Sequence, residues 1–345
     1  MNINNSKILI VGGAGFVGSN LCQLILEKYD PKEIWIVDNM MSSEMDNVMI
    51  DPRARFVFGS ITEDSILRQL PADLEFVFHL SCYHGNQSSI ADPLADHQNN
   101  TLTSLKLFDV LKDFKELNKV VYAAAGCAVA EKTYDDAKAT PEDAPISLFH
   151  DSPYSISKLI GEMYGNYFFQ SYGLPFVKAR FQNVYGPREI LGAGHWRGSI
   201  HTVWRNVIPT FIWKSLQGEA LPLDNGGNAS RDFIFVGDLV RGLVACAEKG
   251  ISGEAYNLAS GVETSILDLA NHINALTGNN TPVDLRPART WDRSGRRYGS
   301  PVKSLEKLEF SSEVGLADGL ERTIEWTMEN KVLIESAIAR HKYYM

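Results

Sequence analysis

A short apolar run, Ile8–Val11, passes directly into GGAGFVG (Gly12 to Gly18) and then into the helix-like SNLCQLILEKY. No other stretch constrains the fold as strongly. The glycines read as GxxGxxG from Gly12, Gly15 and Gly18, and as GxGxxG from Gly13. In either frame they permit a tight turn and a close backbone approach to a pyrophosphate. They also leave the N–H groups of a helix N-terminus, at Gly15, Phe16, Val17 and Gly18, aimed at the anion. A second apolar run, EIWIVD, ends in Asp38, twenty residues after Gly18. An acid there accepts a hydrogen bond from a ribose 2′-hydroxyl and repels a 2′-phosphate. No Arg follows in residues 39–43. The expected cofactor is therefore NAD rather than NADP.

Around this unit, short apolar runs alternate with helix-like segments. Expected strands are Lys7–Val11, Glu33–Val37, Arg55–Phe58, Phe76–Leu80, Lys119–Ala123 and Pro175–Arg180. Expected helices lie near 15–28, 62–70, 93–113 and 154–171. That rhythm predicts an α/β fold, a Rossmann-type parallel sheet with helices on both faces. A seventh strand is expected near Glu254–Leu258. The dinucleotide domain is assigned to residues 1–180 with about 231–259. A smaller C-terminal α/β substrate domain takes 181–230 and 260–335.

Composition narrows the function class. The chain has 345 residues, 44% hydrophobic and 22% charged, with a net charge of −9. That balance argues against nonspecific binding to nucleic acid or an anionic membrane. Cys22, Cys82, Cys127 and Cys246 lie far apart without a CxxC pair, and the histidines form no HExxH or HxH cluster. No disulfide framework and no metal is expected. The N-terminus lacks a basic leader, and no apolar run reaches the ~18 residues of a membrane span. A cytoplasmic, soluble protein is the expectation.

The catalytic signal is Tyr154-Ser155-Ile156-Ser157-Lys158, after Asp151-Ser152-Pro153. The i, i+4 spacing places a phenol and an ammonium on one helical face. A free tyrosine has a pKa of about 10, so acting as a base near neutrality takes a shift of roughly 3 units, about 4 kcal/mol. A lysine cation and a nicotinamide cation both push in that direction. YxxxK alone is common by chance. Its place after a dinucleotide fingerprint and a fifth strand makes it specific.

With these motifs the chain resembles the extended short-chain dehydrogenase/reductases, the NAD-dependent nucleotide-sugar epimerase/dehydratase family. The resemblance covers nearly the whole length. It extends to VFHLS (77–81), DPLADHQNN (92–100), ARFQNVYGP (179–187) and RDFIFVGDL (231–239). It implies that Asp38, Asn39, Ser60, Ile61, Leu80, Ser81 and Asn99 contact NAD. His84 falls where some epimerases place a Lys near the cofactor phosphates. Asn183, Arg231, Arg289 and Asp292 match positions that hold the diphosphate of a nucleotide sugar. The arginines also fit by chemistry, since a diphosphate needs cationic, preferably bidentate partners. His195, Trp196 and Arg197, in the GAGHWRG loop (192–198), are candidates for choosing the sugar. A homodimer through helices near 93–113 and 154–171 is a further implication. AAGCAVAEKT and FQNVYGPREILGAGHWRG resemble a subgroup from bacterial O-antigen sugar-nucleotide synthesis.

One departure stands out in VVYAAAGCAVA (120–130). The family's serine or threonine falls on Ala125 or Gly126, depending on the direction of counting, and neither bears a hydroxyl. Losing one positioned donor typically costs ~3–4 kcal/mol in a transition state. Candidate replacements are Cys127, Thr133, Tyr134, Ser81, Ser88, His84, a substrate group or water. Alternatively, the small Ala-Gly floor makes room for an N-acetyl group or a C-6 carboxylate. The acidic pair used by dehydratases is replaced by Gly126 and Cys127, which disfavours dehydration. The expected reaction is epimerisation at C-4 through a transient 4-keto sugar. A net oxidoreductase, or an impaired NAD and nucleotide-sugar binding protein, are the alternatives.

Overall fold

Alternating apolar side chains set the architecture. In β1 (Lys7–Val11), Ile8 and Ile10 point to one side and Leu9 and Val11 to the other, and all four are buried. Strand geometry sends successive side chains to opposite faces, so a strand apolar at every position needs cover on both. The computed structural model, which describes residues 2–130, 133–195, 203–292 and 295–344, provides that cover. The sheet continues with β2 (Glu33–Asp38), β3 (Ala54–Phe58), β4 (Phe76–His79), β5 (Lys119–Ala125), β6 (Phe176–Phe181) and β7 (Ala255–Leu258). All seven strands are parallel, in the order β7-β6-β5-β4-β1-β2-β3. The order reverses between β1 and β4, which opens a ligand crevice at the carboxyl ends of the strands.

The helices that matter for the site are α1 (Phe16–Lys28), α2 (Thr103–Leu111), α3 (Pro153–Tyr172), α4 (Val207–Leu216) and α5 (Val236–Lys249). On one face, Ile8, Ile10, Ile34 and Ile36 pack with Leu21 and Ile25 of α1 and Leu239 and Leu243 of α5. On the other, Leu9, Val11, Trp35 and Val37 share a core with Leu107 and Phe108 of α2 and Phe168 of α3. Each such side chain, fully buried, contributes roughly 1.5–3 kcal/mol. A separate core forms from Tyr185, Phe211, Leu223, Phe233, Ile273 and Leu320. Two short parallel pairs flank it: Asn183–Tyr185 with Phe233–Phe235, and Pro222–Asp224 with Asp284–Arg286. No described helix is long and apolar enough to cross a membrane.

Three elements differ from the sequence expectation. The helix expected over 62–70 is a single turn, Asp64–Leu67. The one expected over 93–113 is interrupted: Pro93–Asp96 leads into a wide π turn at His97–Leu102 before α2 begins. The turn carries buried Asn100, which accepts the Tyr83 N–H at 2.7 Å and donates to the Tyr83 carbonyl at 3.2 Å. Such single wide turns often mark functional sites. Finally, β5 runs two residues past Ala123, because Ala125 still pairs with Phe181 of β6. The strand thus ends where the hydroxyl was missed.

Helix α3 is punctuated by its own sequence. Ser152 caps it by accepting the Ser155 N–H at 3.3 Å, Pro153 takes the first helical position, and Gly173 closes it at φ 73°. Gly161 and Gly165 weaken the helix by about 1 kcal/mol each relative to Ala, but they let it lie close on the sheet. A Cβ at Gly161 would come within 2.1 Å of the Tyr122 hydroxyl, and one at Gly165 within 2.0 Å of the Phe176 ring. A buried bidentate pair, Arg180 to Glu162 at 2.9 and 2.8 Å, ties α3 to β6.

Candidate active site

The fingerprint turn is shaped by close backbone contacts. Gly12 has φ +83°, and a Cβ there would lie 2.6 Å from the Ser81 nitrogen at the end of β4. At Gly18 a Cβ would meet the Gly12 carbonyl oxygen at 2.2 Å. Helix α1 begins after Gly15 with no side-chain cap and no acid in its first turn. Its first N–H groups therefore remain available to an anion. The Phe16 and Val17 side chains pack against the first core, so a contact from these residues to a pyrophosphate comes from backbone. Asp38, at the end of β2, is buried. It accepts the Ala14 N–H at 3.0 Å, the Met40 N–H at 2.9 Å and the Ser43 hydroxyl at 3.3 Å. Burial nevertheless holds its carboxyl above its ordinary pKa. The acid expected at the ribose thus also clamps the turn that carries the glycines.

Beside it lies a cavity of about 400 Å³ lined by Asn39, Met41, Ser60, Thr62, Gln98, Asn99 and Leu102. Three of the residues expected at the cofactor, Asn39, Ser60 and Asn99, converge there. The Ile61 side chain instead belongs to the sheet core, which leaves only its backbone for a ligand. Leu80 and Ser81 follow β4 beside Gly12, with the Ser81 hydroxyl 3.3 Å from His79 Nδ1. Glycines whose added Cβ would fill the cradle, an open helix N-terminus, a buried acid and an adjoining cavity together fit a dinucleotide.

The second half of the site gathers at the carboxyl end of β5. Tyr154 is buried in a small cluster with Ala125, Ala128 and Leu159, with Cys82 and Cys127 packed against it. The Cys82 thiol lies 3.9 Å from the Tyr154 hydroxyl. Burial, reinforced by the two thiols, pushes this phenol well above its ordinary pKa, so it rests as a proton donor. Lys158, one helical turn on, donates to the Ala123 carbonyl at 2.9 Å and stands 5.3 Å over the Tyr122 ring. Burial alone would lower its pKa, but Cys82, Tyr122 and Asp96 raise it above the ordinary value. The ammonium stays charged. Lowering the Tyr154 pKa into a working range takes further positive charge, which a bound oxidised nicotinamide would bring.

His84 sits against Tyr154, with ring centroids 5.6 Å apart, edge to face. Its Nε2 is 2.8 Å from Asn206 Oδ1, and Asn206 Nδ2 donates onward to Glu189. An amide that donates through Nδ2 offers Oδ1 as acceptor, so His84 Nε2 is the donor in this contact. Burial first of all pushes the Glu189 carboxyl up to about 7, against the pull of Asn206 and Arg205. Its Oε2 has no hydrogen-bond partner among the described residues. Sequence reasoning missed Cys82, Asn206 and Glu189, whose roles rest on contacts between distant segments.

This carboxyl yields a pH prediction. A folded pKa of about 7, against 4.5 ordinarily, means the native state holds an extra proton between those values. The stability this contributes is complete below about pH 4.5 and lost as pH rises through 7. Relative to Glu189→Gln, wild-type unfolding free energy should fall by up to about 3 kcal/mol between pH 5 and pH 8. Parallel denaturation curves for the two proteins across that range would refute it.

The residues expected at the diphosphate separate into two groups. Arg231 donates to the carbonyls of Ser230 at 2.6 Å and Gly295 at 2.7 Å. Its pKa is pushed down to about 9 by burial and by the neighbouring Arg297, with Asp292, Cys127 and Tyr134 acting in the opposite direction. Two guanidiniums held close, one of them buried Arg297, form a site that a polyanion would relieve. Arg297 was not anticipated. Arg289 is exposed and pairs with Asp224 at 2.5 Å. Asn183 lies in the short strand beside Phe233, and its N–H donates to the Asp232 carbonyl at 2.9 Å. In the GAGHWRG loop, the Gly194 N–H donates to Glu44 at 2.9 Å. His195 is exposed, while Trp196 and Arg197 lie outside the described residues.

Comparison with known proteins decides the family. The family model described as "NAD dependent epimerase/dehydratase family" matches residues 8–259. The chain belongs to the NAD dependent epimerase/dehydratase family. It is similar to the Bordetella bronchiseptica enzyme WbmF in complex with NAD+ and UDP, at 53% identity and TM-score 0.88, over 99% of this chain and 97% of that one. A UDP-glucose 4-epimerase from Thermotoga maritima, with UDP-glucose, is 28% identical at TM-score 0.83, over 94% and 99% of the two chains. A UDP-glucose 4-epimerase of Mycolicibacterium smegmatis is 27% identical over 93% of this chain and 98% of its own. NAD is the cofactor of this epimerase/dehydratase family, and the fingerprint turn, Asp38 and the adjoining cavity are the residues that would hold it.

The floor of the site changes one expectation. Gly126 opens a short 3-10 turn, Gly126–Ala128, directly after β5. A Cβ there would lie 2.3 Å from the Gln182 Nε2. The space freed by the absent side chain is therefore taken by a carboxamide and does not open toward a bulky sugar group. Among the other candidate replacements, the Tyr134 hydroxyl donates to the Asp292 backbone at 3.4 Å, and Thr133 bridges to Arg296. Ser88 is buried. Cys127 and His84 remain beside Tyr154.

Proposed function

We propose that the chain epimerises a nucleotide-diphosphate sugar, at C-4 through a transient ketone, and regenerates its NAD in each cycle. The observation that carries this is the Tyr154–Lys158 pair at the carboxyl end of β5, next to a dinucleotide cradle and, among the described residues, without a carboxylate in the Gly126–Ala128 turn. When bound, NAD supplies a reversible hydride acceptor. Tyr154 takes and returns the proton of the sugar hydroxyl, and Lys158 stays cationic beside it to favour the phenolate. Arg231 and Arg297 hold the diphosphate, with Arg289, Asp292 and Asn183 at the edge of that site. The likeness to WbmF with UDP and to UDP-glucose 4-epimerases supports a uridine nucleotide. The resemblance to the O-antigen subgroup supports a place in surface-polysaccharide precursor supply. Two copies pairing through the 93–113 segment and α3 fit the exposed Leu94, Ile156, Met163 and Tyr167. The test is a panel of UDP-, dTDP-, GDP- and CDP-sugars incubated with the NAD-loaded protein and followed by proton NMR. One sugar should equilibrate with its C-4 epimer. Recovery of every sugar unchanged would refute the reading.

A specific observation favours a second route to epimerisation. The imidazole of His84 and the thiols of Cys82 and Cys127 lie beside Tyr154, which gives the site acid–base groups beyond the tyrosine. Once a C-4 ketone exists, the C–H groups on the adjacent carbons become more acidic. Imidazole removal of such a proton, with return from a thiol on the other face, would invert C-3 or C-5. The two routes separate in heavy water. Hydride return leaves the sugar carbons unlabelled, whereas proton exchange places deuterium at the inverted carbon.

A further inference from the structure

The hydroxyl absent from the floor of the site has a structural counterpart on the next strand. Ala125, the last residue of β5, pairs with Phe181, the last of β6. The residues that follow, Gly126 and Gln182, therefore emerge together at the carboxyl edge of the sheet, where ligands of such sheets bind. Gly126 and Gly299 both press on the Gln182 side chain. An added Cβ would lie 2.3 Å from Nε2 at Gly126 and 2.6 Å from the same nitrogen at Gly299. Neither glycine has a positive φ, so neither is required by backbone conformation. What both positions require is space, and one carboxamide fills it.

That carboxamide is half-buried and makes no hydrogen bond to a described residue. Its polar atoms are not sealed from solvent, so the N–H is within reach of an incoming ligand. Gly126, whose side-chain space it takes, lies between Ala125 and Cys127, and both belong with Ala128 to the cluster around Tyr154.

We propose that Gln182 supplies, through its side-chain N–H, the hydrogen bond to the reacting sugar oxygen that a serine or threonine supplies elsewhere in the family. Gly126 and Gly299 form the slot that seats it. This rests on the nucleotide-sugar reading and adds the donor which that reading left open. An amide N–H donates to a hydroxyl oxygen and to the ketone oxygen alike, so it serves both directions of a reversible oxidation. Unlike a hydroxyl it does not relay a proton, so Tyr154 alone carries proton transfer.

The test uses NAD-loaded protein with Gln182→Ala, Gly126→Ser and the double variant Gly126→Ser/Gln182→Ala. UDP affinity is measured by calorimetry, and kcat and KM on whichever sugar of the panel the wild type converts. For Gln182→Ala, kcat should fall about 10²–10³-fold, the range for one positioned donor. KM should stay within about threefold and UDP affinity within about twofold. Gly126→Ser should be impaired and less stable, because the new side chain displaces the carboxamide. The double variant, with serine in the vacated slot, should regain at least about tenfold in kcat over Gln182→Ala. Turnover by Gln182→Ala within about threefold of wild type overturns the inference and leaves the epimerase reading standing. A parallel fall in UDP affinity and melting temperature, without rescue, also overturns it by showing a packing role. A wild type that binds none of the panel overturns both.

Discussion

Tyr154→Phe should lower kcat by about 10³-fold while leaving the folded protein and its NAD content almost unchanged. The expectation follows from what the substitution removes. The ring stays in its cluster with Ala125, Ala128 and Leu159 and keeps its edge contact with His84. Only the hydroxyl is lost, and with it the group proposed to exchange a proton with the sugar; general acid–base groups contribute typically about 10²–10⁴ in rate. The thiol of Cys82 loses its 3.9 Å neighbour, a weak contact whose removal should shift melting by no more than a few degrees. Steady-state kinetics, a thermal melt and the nicotinamide content of the purified variant check the three parts. A kcat within about tenfold of wild type would transfer the proton to another group, with His84 the first to examine.

Gly18→Ala should abolish retention of NAD. The added Cβ would stand 2.2 Å from the Gly12 carbonyl oxygen and 2.6 Å from the Gly13 Cα. Both are backbone atoms of the fingerprint turn, so no side chain can rotate aside. The turn must move, and it is the same turn that Asp38 clamps through the Ala14 N–H and that Ser81 abuts. Forcing a methyl group into such packing costs about 1–3 kcal/mol. The larger effect should fall on the ligand, since the α1 N–H groups proposed to hold the pyrophosphate would lose their alignment. Affinity for NAD should drop at least about 100-fold by calorimetry. Wild-type affinity in this variant would mean that the cofactor does not lie against this turn.

Much of this architecture was legible in the sequence because it is local. A strand, a glycine turn and a helix follow one another within thirty residues, and Asp38 closes the unit at the end of the next strand. The apolar runs of the sheet announce themselves because both faces are buried. Tyr154 and Lys158 are legible for the same reason, lying one turn apart on a helix whose cap, proline and closing glycine adjoin them in the chain. The features that escaped are those made by distant segments. Arg297 acquires meaning only beside Arg231, and Glu189 only through Asn206 and His84. The extension of β5 to Ala125 depends on the length of its neighbour β6. Gly126 looked like an empty place because the side chain that fills it comes from another strand. The wide turn at His97–Leu102 escaped likewise, since Asn100 reaches across to the Tyr83 backbone.

The central claim is that oxidation and reduction are both completed inside one site, so the chain isomerises its substrate without net redox change. The most direct measurement follows nicotinamide absorbance and sugar stereochemistry together in NAD-loaded protein, with an excess of the sugar nucleotide that binds. Many sugars should be inverted per bound NAD, with no lasting rise in NADH. One NADH formed per sugar consumed, with an oxidised sugar as the final product, would contradict the claim and make the chain a net dehydrogenase.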